Sequence, residues 1–137
     1  MEYTKLSNDV RLPLLGLGTF MISPEDTEKS VYDALKMGYR LIDTANAYLN
    51  EEAVGKGIKK ALDEGLVKRE DIFLSTKIWP TLYEASDAVD KTLERLGVEY
   101  VDLLFIHQPA GHYKAGYALI EKAYKEGKAR SLGISNF

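Results

Sequence analysis

The stretch Ile72-Phe73-Leu74-Ser75-Thr76-Lys77-Ile78-Trp79 decides the fold. Its first half is nearly all apolar, as in a strand covered on both faces, and it runs into an ammonium and an indole instead of a turn residue. Two more segments share the design. Leu41-Ile42-Asp43 delivers a carboxylate, and Val101-Asp102-Leu103-Leu104-Phe105-Ile106-His107 delivers an imidazole. Asp43, Lys77 and His107 follow one another at steps of 34 and 30 residues, about one βα unit each, so parallel neighbouring strands bring all three groups to one rim. Tyr48, shortly after Asp43, adds a phenol to that rim.

The segments between these strands read as helices. Ser23-Pro24-Glu25-Asp26 has the cap, the first-turn proline and the acid of a helix start, Val31, Ala34 and Leu35 share one face, and Gly38 stops the pattern. A second stripe, Val54, Ile58, Ala61 and Leu62, is placed to be capped by Asn50 and ended by Gly65. Ala85, Val89, Leu93 and Leu96 form a third stripe before Gly97, and Tyr117, Ile120 and Tyr124 a fourth before Gly127. Leu14 to Leu17 and Ser131 to Ile134 supply the first and last strands. Ahead of them, alternating residues on either side of Ser7-Asn8-Asp9 predict a small hairpin.

Apolar strands alternating with amphipathic helices predict an α/β fold with a parallel sheet. A doubly wound sheet gathers its ligands at one switch point, whereas here each of three successive strands carries a functional group at its C-terminal end. That pattern selects the (β/α)8 TIM-barrel type. A complete barrel takes about 250 residues, and 137 residues accommodate the hairpin, four βα units and a fifth strand, so residues 1–137 are expected to form a single partial barrel domain, about the first half. The two open edges of such a half-sheet predict self-association.

Composition removes several alternatives. A net charge of -3, with no basic run longer than Lys59-Lys60 or Lys68-Arg69, argues against a nucleic-acid surface. The absence of cysteine excludes disulfides, thiolate catalysis and cysteine-type zinc sites. No apolar leader or membrane-spanning stretch is visible, so the expected compartment is the cytoplasm. His107 and His112 lack the i,i+4 spacing of a helical metal pair, and no metal is expected.

At the rim, Lys77 read alone is a snorkelling surface lysine and Asp43 a loop-initiating aspartate; read together they predict an ion pair. Tyr48 is one of nine tyrosines, so count alone makes it a packing residue. An adjacent ammonium changes that reading, because it stabilises the phenolate and makes the phenol a usable proton donor. His107 can donate to an oxygen on which negative charge develops. This set suits protonation of an alkoxide forming at a carbonyl, and since no side chain supplies hydride, a nicotinamide or flavin is implied. Gly16-Leu17-Gly18 is followed by Met21 where a dinucleotide fingerprint needs a third glycine, and Gly133 to Phe137 lacks the second glycine of a nucleophile elbow.

Five ordered motifs cover nearly the whole chain: Gly16-Leu17-Gly18-Thr19-Phe20; Asp43-Thr44-Ala45 through Tyr48 with Asn50-Glu51; Ser75-Thr76-Lys77-Ile78-Trp79; Tyr100-Val101-Asp102 through His107-Gln108-Pro109; and Gly127-Lys128 through Gly133-Ile134-Ser135-Asn136-Phe137. Together they resemble the aldo-keto reductase superfamily, particularly the bacterial reductases of the 2,5-diketogluconate and methylglyoxal type. The resemblance implies the N-terminal half of that barrel and NADPH-dependent reduction of small aldehydes and ketones. Under it Tyr48 is the proton donor, Lys77 and Asp43 tune it, and His107 orients the substrate carbonyl. Thr19 and Phe20 lie beside the cofactor, Asp43 also meets its ribose, and Ser135 with Asn136 binds the nicotinamide carboxamide. Phe20, Tyr48, Trp79 and His107 line the substrate pocket. The family's contacts to the adenosine phosphate and pyrophosphate come mainly from later strands, so the alternative is a catalytically silent fragment that self-associates. A metal-dependent hydrolase on a similar barrel ranks last, because Leu14 to Gly18 lacks paired histidines.

Overall fold

Capping chemistry and small residues set where the helices begin and how closely they pack in the computed structural model, which describes residues 1–137. Helix α1 spans Pro24–Lys36, and the Ser23 hydroxyl accepts from the Asp26 backbone N–H at 3.2 Å. Helices α2 (Glu51–Asp63), α3 (Ala88–Leu96) and α4 (Tyr113–Lys125) follow, each packed beside the one before it. Two glycines in α2 permit this spacing. A Cβ at Gly57 would lie 2.7 Å from the Glu28 carbonyl oxygen of α1, and one at Gly55 would lie 2.4 Å from the Leu96 carbonyl oxygen of α3.

The N-terminal hairpin pairs β1 (Tyr3–Lys5) with β2 (Arg11–Pro13). The main sheet contains β3 (Gly16–Gly18), β4 (Leu41–Asp43), β5 (Phe73–Ile78), β6 (Leu103–Ile106) and β7 (Leu132–Ile134), all parallel and ordered in space as in sequence. Strand order without reversal, with each helix beside its predecessor, is the wall of a barrel and not a doubly wound sheet. The molecule is a partial (β/α)8 barrel. One sheet face, with Ile42, Leu74, Ile78, Leu104 and Ile106, is sealed against the helices, and each such side chain contributes about 1.5–3 kcal/mol. The other face carries Asp43, Ser75, Lys77 and Phe105, because Asp43 pairs with Ser75 and Lys77 with Phe105 in register. Strands β3 and β7 each have a neighbour on one side only, and Leu14, Leu15 and Ile134 near these edges are exposed. No helix is long and apolar enough to cross a membrane.

Four local expectations are corrected. Strand β3 begins at Gly16 instead of Leu14, because the Leu14 N–H is committed to the hairpin through the Glu2 carbonyl at 2.9 Å. Helix α3 begins at Ala88, not Ala85; a 3-10 turn over Pro80–Leu82 precedes it and delivers Tyr83 into the core, where its hydroxyl donates to the Gln108 carbonyl at 2.7 Å. That ring decides the inward face of α4. It lies 2.5 Å from where a Cβ of Gly116 would stand, so the buried line is Gly116, Ile120 and Ala123, while Tyr117 and Tyr124 turn outward. Asn50 does not cap α2 with its side chain; Thr44 and Thr19 hold the amide instead.

Candidate active site at the C-terminal rim

Register explains how groups far apart in sequence meet. Asp43 ends β4, Lys77 sits near the end of β5, and His107 follows β6, so three adjacent parallel strands present them at one end of the sheet. The Lys77 ammonium donates to Asp43 Oδ2 at 2.6 Å and to the Thr44 carbonyl at 3.0 Å. The Ser75 hydroxyl donates to the second oxygen, Asp43 Oδ1, at 2.6 Å. Lys77 is buried and Asp43 about one-third exposed (32%), so the pair is held by hydrogen bonds yet open to the rim.

Tyr48 closes a 3-10 turn over Asn46–Tyr48, followed by Leu49 at φ 57°. Lys77 Nζ lies 5.0 Å from the centroid of the Tyr48 ring, and no hydrogen bond joins the two groups. The ammonium therefore faces the ring without bonding the phenol oxygen. His107 is packed edge-on against Tyr48, at 5.8 Å between centroids, and against Trp79, at 5.1 Å. Phe20 lies 5.1 Å from Tyr48 and is 65% exposed, completing an aromatic margin around the phenol.

Burial pushes the His107 imidazole below its ordinary value, and the Lys77 charge adds to that effect while Asp43 opposes it. Nδ1 is buried without a hydrogen-bond partner, and Nε2, also unbonded, keeps contact with solvent. A neutral ring with an unbonded Nε2 at an aromatic margin can offer a hydrogen bond to an incoming oxygen. Asn136 is bonded to the backbone of His107. Its Nδ2 donates to the His107 carbonyl at 3.0 Å and to Ser135 Oγ at 3.0 Å, leaving the amide oxygen and the Ser135 hydroxyl proton uncommitted. Thr19 is different. It is fully buried, and its single hydroxyl proton is shared between the Asp43 carbonyl at 3.0 Å and Asn50 Oδ1 at 3.3 Å, so its side chain braces the rim from behind. His112 is exposed and bonded to Glu84, away from this cluster.

Several contributors have roles here that the sequence did not assign. Ser75 satisfies half of Asp43, and its position opposite Asp43 is visible only once the register is known. Asn46, Asn50 and Glu51 form buried networks behind the Tyr48 turn. Three amide or acid side chains so close together beside a strand end were the available signal.

Comparison with known proteins adds an independent line. Residues 14–137 match the family model described as the aldo/keto reductase family. The chain is 46% identical over 141 residues to the glyoxal reductase of Bacillus subtilis, covering 99% of this chain and 50% of that protein. It is 36% identical over 167 residues to the NAD(P)H-dependent D-xylose reductase of Scheffersomyces stipitis, covering 100% of this chain and 52% of that protein. Among solved structures, the Bombyx mori aldo-keto reductase in complex with NADP superposes with a TM-score of 0.92 at 35% identity, over 99% of this chain and 50% of that one. The chain thus spans about half the length of the curated relatives it matches.

Proposed function

The chain belongs to the aldo/keto reductase family, and from that premise we propose that the protein reduces small aldehydes and ketones to alcohols, with NADPH as its cofactor and Tyr48 as its proton donor. Residues 1–137 act in this reading as one partial barrel domain. The observation that carries it is the meeting of a phenol, a paired ammonium and a neutral imidazole with an unbonded nitrogen on one rim. The residues present fit a nicotinamide: the uncommitted amide oxygen of Asn136 and hydroxyl of Ser135 match the donor and acceptor of a carboxamide, and the exposed Phe20 ring offers a flat apolar flank. When bound, the cofactor supplies the hydride.

His107 Nε2 donates a hydrogen bond to the substrate carbonyl and holds it against the Tyr48 hydroxyl. As negative charge builds on that oxygen, Tyr48 transfers its proton to it, the C–O bond becomes single, and the Lys77 ammonium stabilises the phenolate left behind. Asp43 and Ser75 keep Lys77 in place, and solvent returns the proton to Tyr48. Phe20 and Trp79 line the pocket and exclude water from the reacting oxygen.

A second reading has its own observation. Strands β3 and β7 are open edges beside exposed Leu14, Leu15 and Ile134, which favours self-association of the 137-residue chain without turnover. One experiment separates the two. Trp79 is the only tryptophan, so its fluorescence reports directly on the rim. Saturable quenching by micromolar NADPH, followed by aldehyde-dependent NADPH oxidation, is the result expected of a reductase. An oligomer by sedimentation whose emission is unchanged at millimolar NADPH would replace that reading with the second.

A further inference from the structure

Glu51, the first residue of α2, is only 2% exposed, and a carboxylate at that depth needs a reason. Its Oε1 accepts from Arg95 Nε at 3.0 Å and Nη2 at 2.8 Å, and also from Asn46 Nδ2 at 3.0 Å; its Oε2 accepts from the Thr76 hydroxyl at 2.8 Å. Buried ion pairs are often replaceable by apolar residues at no cost to stability, so stability alone does not account for this one. What the carboxylate touches does. Asn46 opens the turn that carries Tyr48, and Thr76 immediately precedes Lys77.

The Tyr48 turn is anchored before it by the Lys77 bond to the Thr44 carbonyl and after it by the Asn50 amide, while within it Asn46 makes the side-chain bonds. Two backbone bonds close it, Tyr48 N–H to the Ala45 carbonyl at 3.1 Å and Leu49 N–H to the Asn46 carbonyl at 3.2 Å. Leu49 adopts a left-handed φ of 57°, a conformation that costs a non-glycine residue and persists only where the surroundings enforce it. The phenol itself makes ring contacts to Phe20 and His107, with no hydrogen bond to fix its oxygen. Asn46 is the tether. Its Nδ2 reaches Glu51 and also Thr92 Oγ1 at 2.6 Å, and its Oδ1 accepts from the Trp79 N–H at 3.4 Å. One carboxylate, neutralised by Arg95, thereby references the phenol turn, the ammonium strand and the indole to a single point.

We propose that Glu51 is a positioning residue, which through Asn46 and Thr76 fixes the Tyr48 phenol relative to Lys77 and His107. The role rests on the reading of Tyr48 as proton donor, and the test is chosen to separate the two. His107 and His112 are the only histidines, so labelled imidazole resonances are readily assigned, and the His107 ring between Tyr48 and Trp79 feels the currents of both. In Asn46→Ala, which cuts the tether yet leaves Glu51 bonded to Arg95 and Thr76, the His107 shifts should move toward unstacked values and the Tyr48–His107 cross-peaks should vanish. Core methyl resonances of Ile42 and Leu74 should stay in place. Glu51→Ala should show the same loss, and Glu51→Gln, which keeps the acceptor facing Asn46, should restore part of it. If Glu51→Ala does not fold, Asn46→Ala with Glu51→Gln carries the test. Unchanged His107 shifts and cross-peaks in a folded Asn46→Ala protein would overturn the proposal. In Asn46→Ala, kcat for aldehyde reduction should fall at least about tenfold with KM within about twofold, since small misplacements of reacting groups act on the chemical step. Displaced resonances with unaltered kcat would uphold the tether and overturn the proton-donor reading instead.

Discussion

The two ends of the sheet each hold an acid in an ion pair, and they differ in what is left over. At the N-terminal end, Asp102 is 1% exposed; Arg130 donates to its Oδ1 at 2.9 Å, the Leu74 N–H donates to its Oδ2 at 2.9 Å, and Arg69 forms an ion pair with Oδ2 at 2.9 Å while donating to the Ile72 and Tyr100 carbonyls. The one buried atom there without a partner, Arg69 Nε, belongs to a guanidinium lying 4.1 Å over the Tyr100 ring. At the C-terminal end, the Asp43–Lys77 pair is equally well bonded but sits beside a phenol and an imidazole that have no hydrogen-bond partners. Burial of a charge pair therefore does not mark function. What distinguishes the C-terminal end is a proton-bearing phenol and imidazole left uncommitted beside the pair, at the end of the strands where barrel chemistry is found.

The sharpest way to break this comparison is to remove each acid or cation in turn and read stability by urea unfolding. Asp102→Ala should cost about 3–5 kcal/mol, because Arg69 and the Leu74 N–H lose a partner they cannot replace with water. A loss below about 1 kcal/mol would mean the lower cluster is not structural. Lys77→Met should cost less, about 1–2 kcal/mol, since the partly exposed Asp43 keeps Ser75 and gains solvent. Should Lys77→Met destabilise more than Asp102→Ala, the contrast between the two ends fails.

The smallest effect is a pH dependence. The folded His107 is held below its ordinary value of 6.5, so the unfolded chain takes up a proton first as pH falls. The His107 contribution is thus constant above that value and is lost progressively below it, until the folded imidazole also protonates. Stability measured across this window should slope downward toward acid, and His107→Gln should flatten the slope. Trp79 emission should show quenching by the imidazolium with a midpoint below 6.5. A midpoint above it would contradict the burial of the ring.

Much of this was legible in sequence because it rests on periodic features. The spacing of Asp43, Lys77 and His107, the apolar strands and the capping residues follow directly from one βα unit repeated. Other features depend on pairs distant in sequence. Nothing near Tyr117 and Tyr124 announces that Tyr83 occupies the space beside Gly116, so the inward face of α4 was misplaced toward the larger residues. Asn50 reads as a helix cap because capping is local chemistry, whereas its partners Thr19 and Thr44 become visible only when β3 and β4 are set side by side. The family resemblance named the rim residues, and the brace of Glu51, Asn46 and Arg95 behind them needed coordinates.

The most direct test of the central claim is Tyr48→Phe, with aldehyde-dependent NADPH oxidation and urea unfolding measured on the same preparation. Loss of the phenolic proton should lower turnover by about 10²–10⁴-fold, the usual contribution of a positioned general acid, while the unfolding free energy stays within about 0.5 kcal/mol because the hydroxyl makes no hydrogen bond in the folded chain. Turnover that survives the substitution unchanged would show that the upper rim does not use Tyr48 as its acid, and the reading of that rim as a carbonyl-reducing site would fall with it.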